Sequence, residues 1–297
     1  MAPLLQRLTT AIDPHVYHLE PRPATDVPLA IQWLGTAGFR VQSGNFHFWL
    51  DPHLSRHTLK QLLFEDLEPD LTRIAADVDF ANAVAVGHSH FDHAMDAPAI
   101  AKLHNAQVYG ASDTLNWCRG YGVPEPQLHE LRGEGEQFSV GPFDLRAVKS
   151  AHSPFALGHV PFPGRIDEPF RAPAHMSQWR VGPVFGLQLQ HPIANIYHVG
   201  SAALIEAELK GIRADVVLAC TIGRHATPNF TRRVIDALKP RIVIPCHWEQ
   251  FWRPIDAPVL QIPSNDLAGF LREVAEHPRA PQVRVLPMRG WTTIEAA

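Results

Sequence analysis

Cysteine is scarce in this chain, and basic charge never gathers in one place. Cys118, Cys220 and Cys246 are the only three cysteines in 297 residues; they are widely spaced, odd in number and form no Cys-x-x-Cys pair. No disulfide framework follows, and Cys220 and Cys246, ending apolar runs, read as small buried residues. Lys and Arg number 26 against 30 Asp and Glu, a net charge of -4 with no basic run or stripe, which argues against a dedicated nucleic-acid surface. No stretch approaches the ~20 apolar residues of a membrane span, and Met1-Ala2-Pro3-Leu4-Leu5-Gln6-Arg7 lacks a charged segment leading into an apolar one. These absences predict a soluble, cytoplasmic protein. There is no internal repeat and no low-complexity segment.

Histidine, in contrast, is concentrated. The run Gly87-His88-Ser89-His90-Phe91-Asp92-His93 follows the apolar stretch Ala83-Val84-Ala85-Val86, which reads as a buried strand. Residues i and i+2 of an extended segment point the same way, so His88 and His90 can share one ion, while Asp92 and His93 enter a following helical turn and can reach a second. A solvated histidine-rich turn is the competing reading, but His-x-His-x-Asp-His at a strand end favours metal.

The motif resembles the signature of the metallo-β-lactamase superfamily, and other marks of that superfamily follow in order over residues 29 to 290. Ile31-Gln32-Trp33-Leu34-Gly35-Thr36-Ala37-Gly38-Phe39 and Phe48-Trp49-Leu50-Asp51-Pro52 resemble its opening strands and Asp-Pro turn. Ser150-Ala151-His152-Ser153 is similar to its third-histidine segment, and Ile244-Pro245-Cys246-His247-Trp248 to the strand ending in the last histidine. The nearest likeness is to the branch of ascorbate-6-phosphate lactonases and N-acyl phosphatidylethanolamine phospholipases. The absence of a phosphate-binding footprint sets the chain apart from the superfamily's nucleases.

The resemblance implies an α/β fold, the αββα sandwich of two mixed β-sheets flanked by helices. It also implies the metal ligands: His88, His90 and His152 for one ion, Asp92, His93 and His247 for another. The expected cofactor is Zn²⁺, one or two ions, with Mn²⁺ or Fe as alternatives. Such a pair holds a hydroxide of near-neutral pKa while one metal polarises the electrophile. Asp92 would orient that hydroxide, and Asp51 would fix the tautomer of a ligand histidine. One position departs from the pattern: where the family has Gly-Asp-Thr with a metal-bridging Asp, this chain has Gly200-Ser201-Ala202. A neutral serine hydroxyl is a poor ligand, so the cluster lacks a shared anion. Glu206 and Glu208 lie nearby, in a run from Ser201 to Lys210 that reads as helix.

Length and hydrophobic content fit one domain over residues 29–297 preceded by an arm, residues 1–28. Strands are expected as a meander over 29–50, then at 83–87, 107–110, 128–131, 136–150, 181–190, 193–200, 215–220 and 241–246. Helices are expected at 95–105, after a cap at Thr227 and Pro228, and at 265–276. Residues 153–180 form a long irregular insertion rich in Pro and Gly that starts beside His152; a lid over an anionic or partly apolar substrate is expected, with a surface excursion or oligomer contact as the alternative. Its Arg165, Arg171 and His175 are candidate substrate contacts, as are Ser201, His198 as a packed neighbour of the ligands, and His225 after a strand end. His47, His53, His57, His104 and His129 read as solvent-exposed. Trp248 and Trp252 suit either a pocket wall or aromatic core.

The leading functional expectation is a metal-dependent hydrolase of a small-molecule ester, lactone, amide or phosphodiester, with a homo-oligomer left open. The missing carboxylate keeps two others in view: a non-catalytic metabolite-binding or regulatory protein, and a metal-dependent biosynthetic enzyme that does not hydrolyse.

Overall fold

A computed structural model describes residues 12–155, 158–263 and 265–296. The apolar strands assemble into two mixed sheets of seven strands each. The first contains β1 (Ala30–Gly35), β2 (Gly38–Ser43), β3 (Phe46–Leu50), β4 (Ala83–Ala85), β5 (Gln107–Gly110) and β6 (Leu128–Glu130), with β14 (Trp291–Thr293) joined to the β1 edge. The second contains β7 (Gln137–Val140), β8 (Phe143–Lys149), β9 (Phe185–Gln190), β10 (Ile196–Val199), β11 (Val216–Cys220), β12 (Ile242–Cys246) and β13 (Gln282–Val283). Each is antiparallel in one half and parallel in the other, the parallel runs being β3 to β6 and β10 to β13.

Period-two alternation sorts the strand residues between two cores. Phe48, Leu50, Ala83 and Ala85 face the second sheet and meet Leu145, Leu187, Ile196 and Leu218. Trp49, Val84 and Val86 face the other way, under Ile74, Ile100 and Trp117 of flanking helices. Both faces of the first sheet are therefore covered, which is why Ala83 to Val86 is apolar throughout. With helices on the outer faces, this is the metallo-β-lactamase αββα arrangement.

Three helices lie where no periodic signal stood out: Leu59–Phe64, Leu71–Asp77 and Ser112–Tyr121. The first was nevertheless legible from its capping box. Thr58 Oγ1 accepts from the Gln61 backbone N–H, and the Gln61 side chain returns a bond to the Thr58 N–H. The helix expected over Ser201–Lys210 is absent; the segment forms turns. The Ala202 carbonyl accepts from Thr227 Oγ1 at 2.6 Å and that of Ala203 from Ser150 Oγ at 3.4 Å, so neighbouring side chains take the acceptors a helix would need. Thr227 is thereby occupied and does not cap the next helix, Phe230–Leu238, which starts after Asn229 in a left-handed conformation.

Of the proposed arm, residues 1–11 lie outside the described residues. Farther on, Tyr17 bridges to Val285 and Glu20 to Trp291, placing this part along the β14 edge. No helix among the described residues is long and apolar enough to cross a membrane.

Candidate metal centre

The C-terminal ends of the strands converge on one edge of the sandwich, where backbone groups end their ladders and side chains can turn inward. Asp51 leaves β3 with φ 41° and His247 leaves β12 with φ 56°. Both are left-handed conformations costly for residues with a Cβ, here imposed at the two strand ends that matter. The His247 N–H donates to the Thr36 carbonyl at 2.8 Å, tying this end to the β1–β2 turn. His88 and His90 follow β4, Asp92 and His93 lie in the one-turn helix Phe91–Ala94, and His152 follows β8.

Among the described residues, three sets of side chains can each bring one donor atom within 4.8 Å of the others: His88, His90 and His152; Asp92, His93 and His247; and Asp51, His88 and His93. Tautomers are set from outside the cluster. His93 Nδ1 donates to Asp51 Oδ2 at 2.7 Å, and Asp51 Oδ1 accepts from the Gly87 N–H at 2.7 Å. His90 Nε2 donates to the Pro161 carbonyl at 2.9 Å, and His152 Nδ1 to the Ser153 carbonyl at 2.7 Å. Each of these histidines is left with its other nitrogen unprotonated and turned inward, the state a metal ligand needs.

The donors fit a cation. His88 Nε2 lies 3.2 Å from His90 Nδ1, and His247 Nε2 lies 3.2 Å from Asp92 Oδ2. Two ligands of a tetrahedral ion at ~2.0–2.1 Å stand about 3.3 Å apart, so these spacings suit shared coordination. Protonation preferences agree for the three-imidazole set and for Asp92. Burial and the neighbouring imidazoles hold His88 well below the ordinary histidine pKa, and burial lowers His90 to about 3 and His152 to about 4. Burial opposes charge on Asp92, but His93 and His247 outweigh it and keep the carboxyl well below its usual range. His93 runs the other way: burial opposes its charge, but Asp51 and Asp92 prevail and raise its pKa, so a cation there competes with a proton.

The other sequence candidates fall into different places. Ser201 is buried and accepts from the Ser153 N–H at 3.0 Å, so it braces the root of the insertion. His198 is buried behind the cluster, donating through Nε2 to the Ala37 carbonyl at 2.8 Å, with Nδ1 3.7 Å from Asp51. Glu206 faces outward and pairs with Arg233, away from the donors. His225 is exposed and belongs to a separate surface hollow with Arg224 and Glu273.

The insertion borders the site, but its cations do not. Arg165 Nε pairs with the buried Asp113 carboxylate at 2.9 Å, which also accepts from the Ile166 N–H at 2.6 Å. The His175 ring turns to Ser177, and Arg171 is exposed; none of the three lines the cavity above the donors. Trp179 is buried against Trp117 and Phe170, which packs the C-terminal end of the segment onto a flanking helix. The cavity itself measures about 450 Å³ and has His90, Asp92, His93, His152 and His247 at its foot.

Sequence reading missed several residues around the donors. His53, expected at the surface, is buried, its ring edge-on to Phe91 and Phe251; the Asp51-Pro52 turn carries it inward. Glu249 accepts from the Thr36 N–H and from Arg56, both at 2.8 Å, in a buried ion pair that holds the turn after His247. Its position two residues beyond the last histidine was the available signal. Pro161, acting through its carbonyl, left none. Trp248 packs on Trp33 in the core, whereas Trp252 lines the cavity.

A model of the β-lactamase superfamily domain matches residues 30–247, and the chain belongs to that family. It is 27% identical over 282 residues to a UPF0173 metal-dependent hydrolase of Myxococcus xanthus, covering 92% of this chain and 86% of the relative. Among solved structures it is similar to Igni18, a metallo hydrolase from the archaeon Ignicoccus hospitalis, with a TM-score of 0.58 and 18% identity over 91% of this chain and 99% of that one. It is also similar to CmlA, a diiron β-hydroxylase from Streptomyces venezuelae, with a TM-score of 0.59 and 14% identity over 93% of this chain and 55% of that one. At these identities the structural likeness speaks to the fold, which hydrolytic and oxidative metal enzymes share.

Proposed function

We propose that the chain is a metal-dependent hydrolase of a small-molecule ester, lactone, amide or phosphodiester, with zinc as the leading metal and one or two ions per chain. One observation carries this reading: buried imidazoles and a carboxylate, with tautomers set for ligation, converge at the foot of a cavity large enough for a small molecule. His88, His90 and His152 would hold one ion and Asp92, His93 and His247 the other. When bound, the metal supplies Lewis acidity and water activated at neutral pH. The protein's part is positional. Asp51 holds the His93 proton away from the donors, and the Pro161 and Ser153 carbonyls do the same for His90 and His152. Asp92, kept ionised, can accept a hydrogen bond from the attacking water and orient it.

This proposal takes residues 29–297 as one catalytic unit with residues 1–28 as an arm, and places it in the cytoplasm on its three unpaired, buried cysteines. The likeness to the ascorbate-6-phosphate lactonase and N-acyl phosphatidylethanolamine phospholipase branch rests on the strand-end motifs alone. Among the described residues, neither lysine nor arginine lines the cavity to meet a substrate phosphate.

The test is metal analysis of protein purified without chelators, followed by a hydrolysis panel on stripped and zinc-restored samples. One or two ions per chain, with turnover lost on stripping and regained on restoration, are expected. Full metal occupancy with no hydrolysis of any ester, lactone, amide or phosphodiester would turn the reading toward non-hydrolytic chemistry. Metal-free protein that zinc does not activate would support a binding or regulatory role.

A further inference from the structure

The cavity above the donors is polar at one end only. Apart from the donor side chains and Ser153, its lining side chains are apolar, among them Leu62, Phe91, Phe162, Met176, Phe251 and Trp252. This character continues outward to the rim. Leu59 and Leu63 are each 49% exposed and Phe155 is 51% exposed, yet all three border the mouth. Large side chains half open to water are ordinary when scattered, but here they prolong an apolar wall that begins at the metal ligands. Cations of the flanking segments stand outside this lining: Lys60, on the same helix as Leu59 and Leu63, turns to solvent 3.5 Å from Glu65, and Arg165 is held by Asp113.

We infer that the substrate is a carboxylic ester, lactone or amide bearing one extended apolar chain and no phosphate. Its scissile carbonyl lies at the donors, and the chain runs along the wall toward the rim. This inference rests on the hydrolase reading and narrows it. A phosphorylated headgroup would have to enter a wall whose described residues include no lysine or arginine, and would exchange hydration for aliphatic and aromatic surface. A chain of methylenes gains from the same wall, because each one leaves water on binding. The orientation follows as well: only the foot of the cavity can ligate or polarise a carbonyl, so the chain must point outward. The acyl C–O or C–N bond breaks, water supplies the oxygen of the carboxylate product, and the leaving alcohol or amine takes a proton.

The test uses the zinc-restored full chain and two probe series. One is p-nitrophenyl acetate, butyrate, hexanoate and octanoate; the other is n-alkyl methyl ketones of matching length, which cannot be hydrolysed and are followed by calorimetry. The expected result is a rise in kcat/KM of about fourfold per methylene, equivalent to ~0.8 kcal/mol, with a parallel rise in ketone affinity. Leu63→Asp should flatten both slopes. Leu103→Asp, a similarly exposed leucine outside the cavity, should leave them unchanged.

Esters cleaved with no dependence on chain length, or a phosphodiester preferred to all of them, would overturn the inference; the former would leave the hydrolase reading intact. Ketones binding more tightly with length, with no ester cleaved, would sustain the apolar-chain site and sink the hydrolase reading. Neither cleavage nor chain-dependent binding would remove both.

Discussion

The two donor groups at the foot of the cavity differ in charge and in how they are supported. His88, His90 and His152 are three imidazoles with no carboxylate among them, and for His90 and His152 the outward nitrogens are held by backbone carbonyls from the 153–180 insertion. Asp92, His93 and His247 include an ionised carboxylate, and His93 is backed by a second one, Asp51. One group is neutral and depends on a loop; the other is anionic and depends on strand ends. Ser201 sharpens the contrast, since a neutral hydroxyl stands where the resemblance places a bridging carboxylate. The first group should therefore bind a dication less tightly than the second.

The strongest way to break this comparison is Asp92→Asn, which makes both groups neutral. Turnover on the best substrate should fall by about 10³-fold, within the range typical of a lost acid–base or orienting group. Metal analysis should show the larger loss from the Asp92 group. A variant retaining both ions and full activity would end the assignment of Asp92.

Acid should separate the groups without mutation. His90 and His152 have folded pKa values of about 3 and about 4, below their ordinary value near 6.5, and His88 is lowered in the same direction. For such groups the metal-free folded state binds fewer protons than the unfolded chain below pH 6.5. Their stability contribution is thus intact above 6.5 and lost as pH falls toward 4, to the extent of ~3 kcal/mol for His152. His93, with its raised pKa, acts in the opposite sense and returns part of the loss. Thermal melts of chelator-treated protein from pH 8 to pH 4 should show the midpoint declining below 6.5; a flat profile would refute the neutral-triad description.

Asp51→Asn tests the support behind the charged group. Loss of such a partner typically costs 10- to 100-fold in metal affinity. Chelator competition should register that loss at the Asp92 group, leaving the imidazole triad within a few-fold of its starting affinity. Equal weakening of both groups would mean that Asp51 serves the strand end as a whole.

The smallest effect is expected from Ser201→Asp, which adds the family's missing carboxylate. Calorimetric titration of metal-free protein should show occupancy moving toward two ions, with affinity at the weaker site rising about tenfold, equivalent to ~1.4 kcal/mol. Two equally tight ions in the unmodified protein would show that its shared anion comes from elsewhere.

Much of this centre was legible because its donors are local. His88, His90, Asp92 and His93 follow one strand, and extended and helical periodicity indicates which can act together. His152 and His247 lie far along the chain, and only their motif likeness placed them in the same group. The helix expected at Ser201–Lys210 failed because its polar and apolar spacing carried no record of Thr227 and Ser150 reaching its carbonyls. His53 was misplaced for a related reason: burial of a single histidine depends on where a turn directs the chain.

By itself, the sequence determined the alternation that sorts strand residues between two cores, the Thr58 to Gln61 cap, and the chemistry available at each strand end. Tertiary structure alone decided that the insertion's cations turn away from the cavity, that the Pro161 carbonyl orients His90, and that Arg56 and Glu249 clamp the His247 turn. The physical reason is range. Periodicity and capping act over a few residues and leave a trace in residue type, whereas a carbonyl acceptor or a buried ion pair is defined by segments distant in the chain, and any residue can supply a carbonyl.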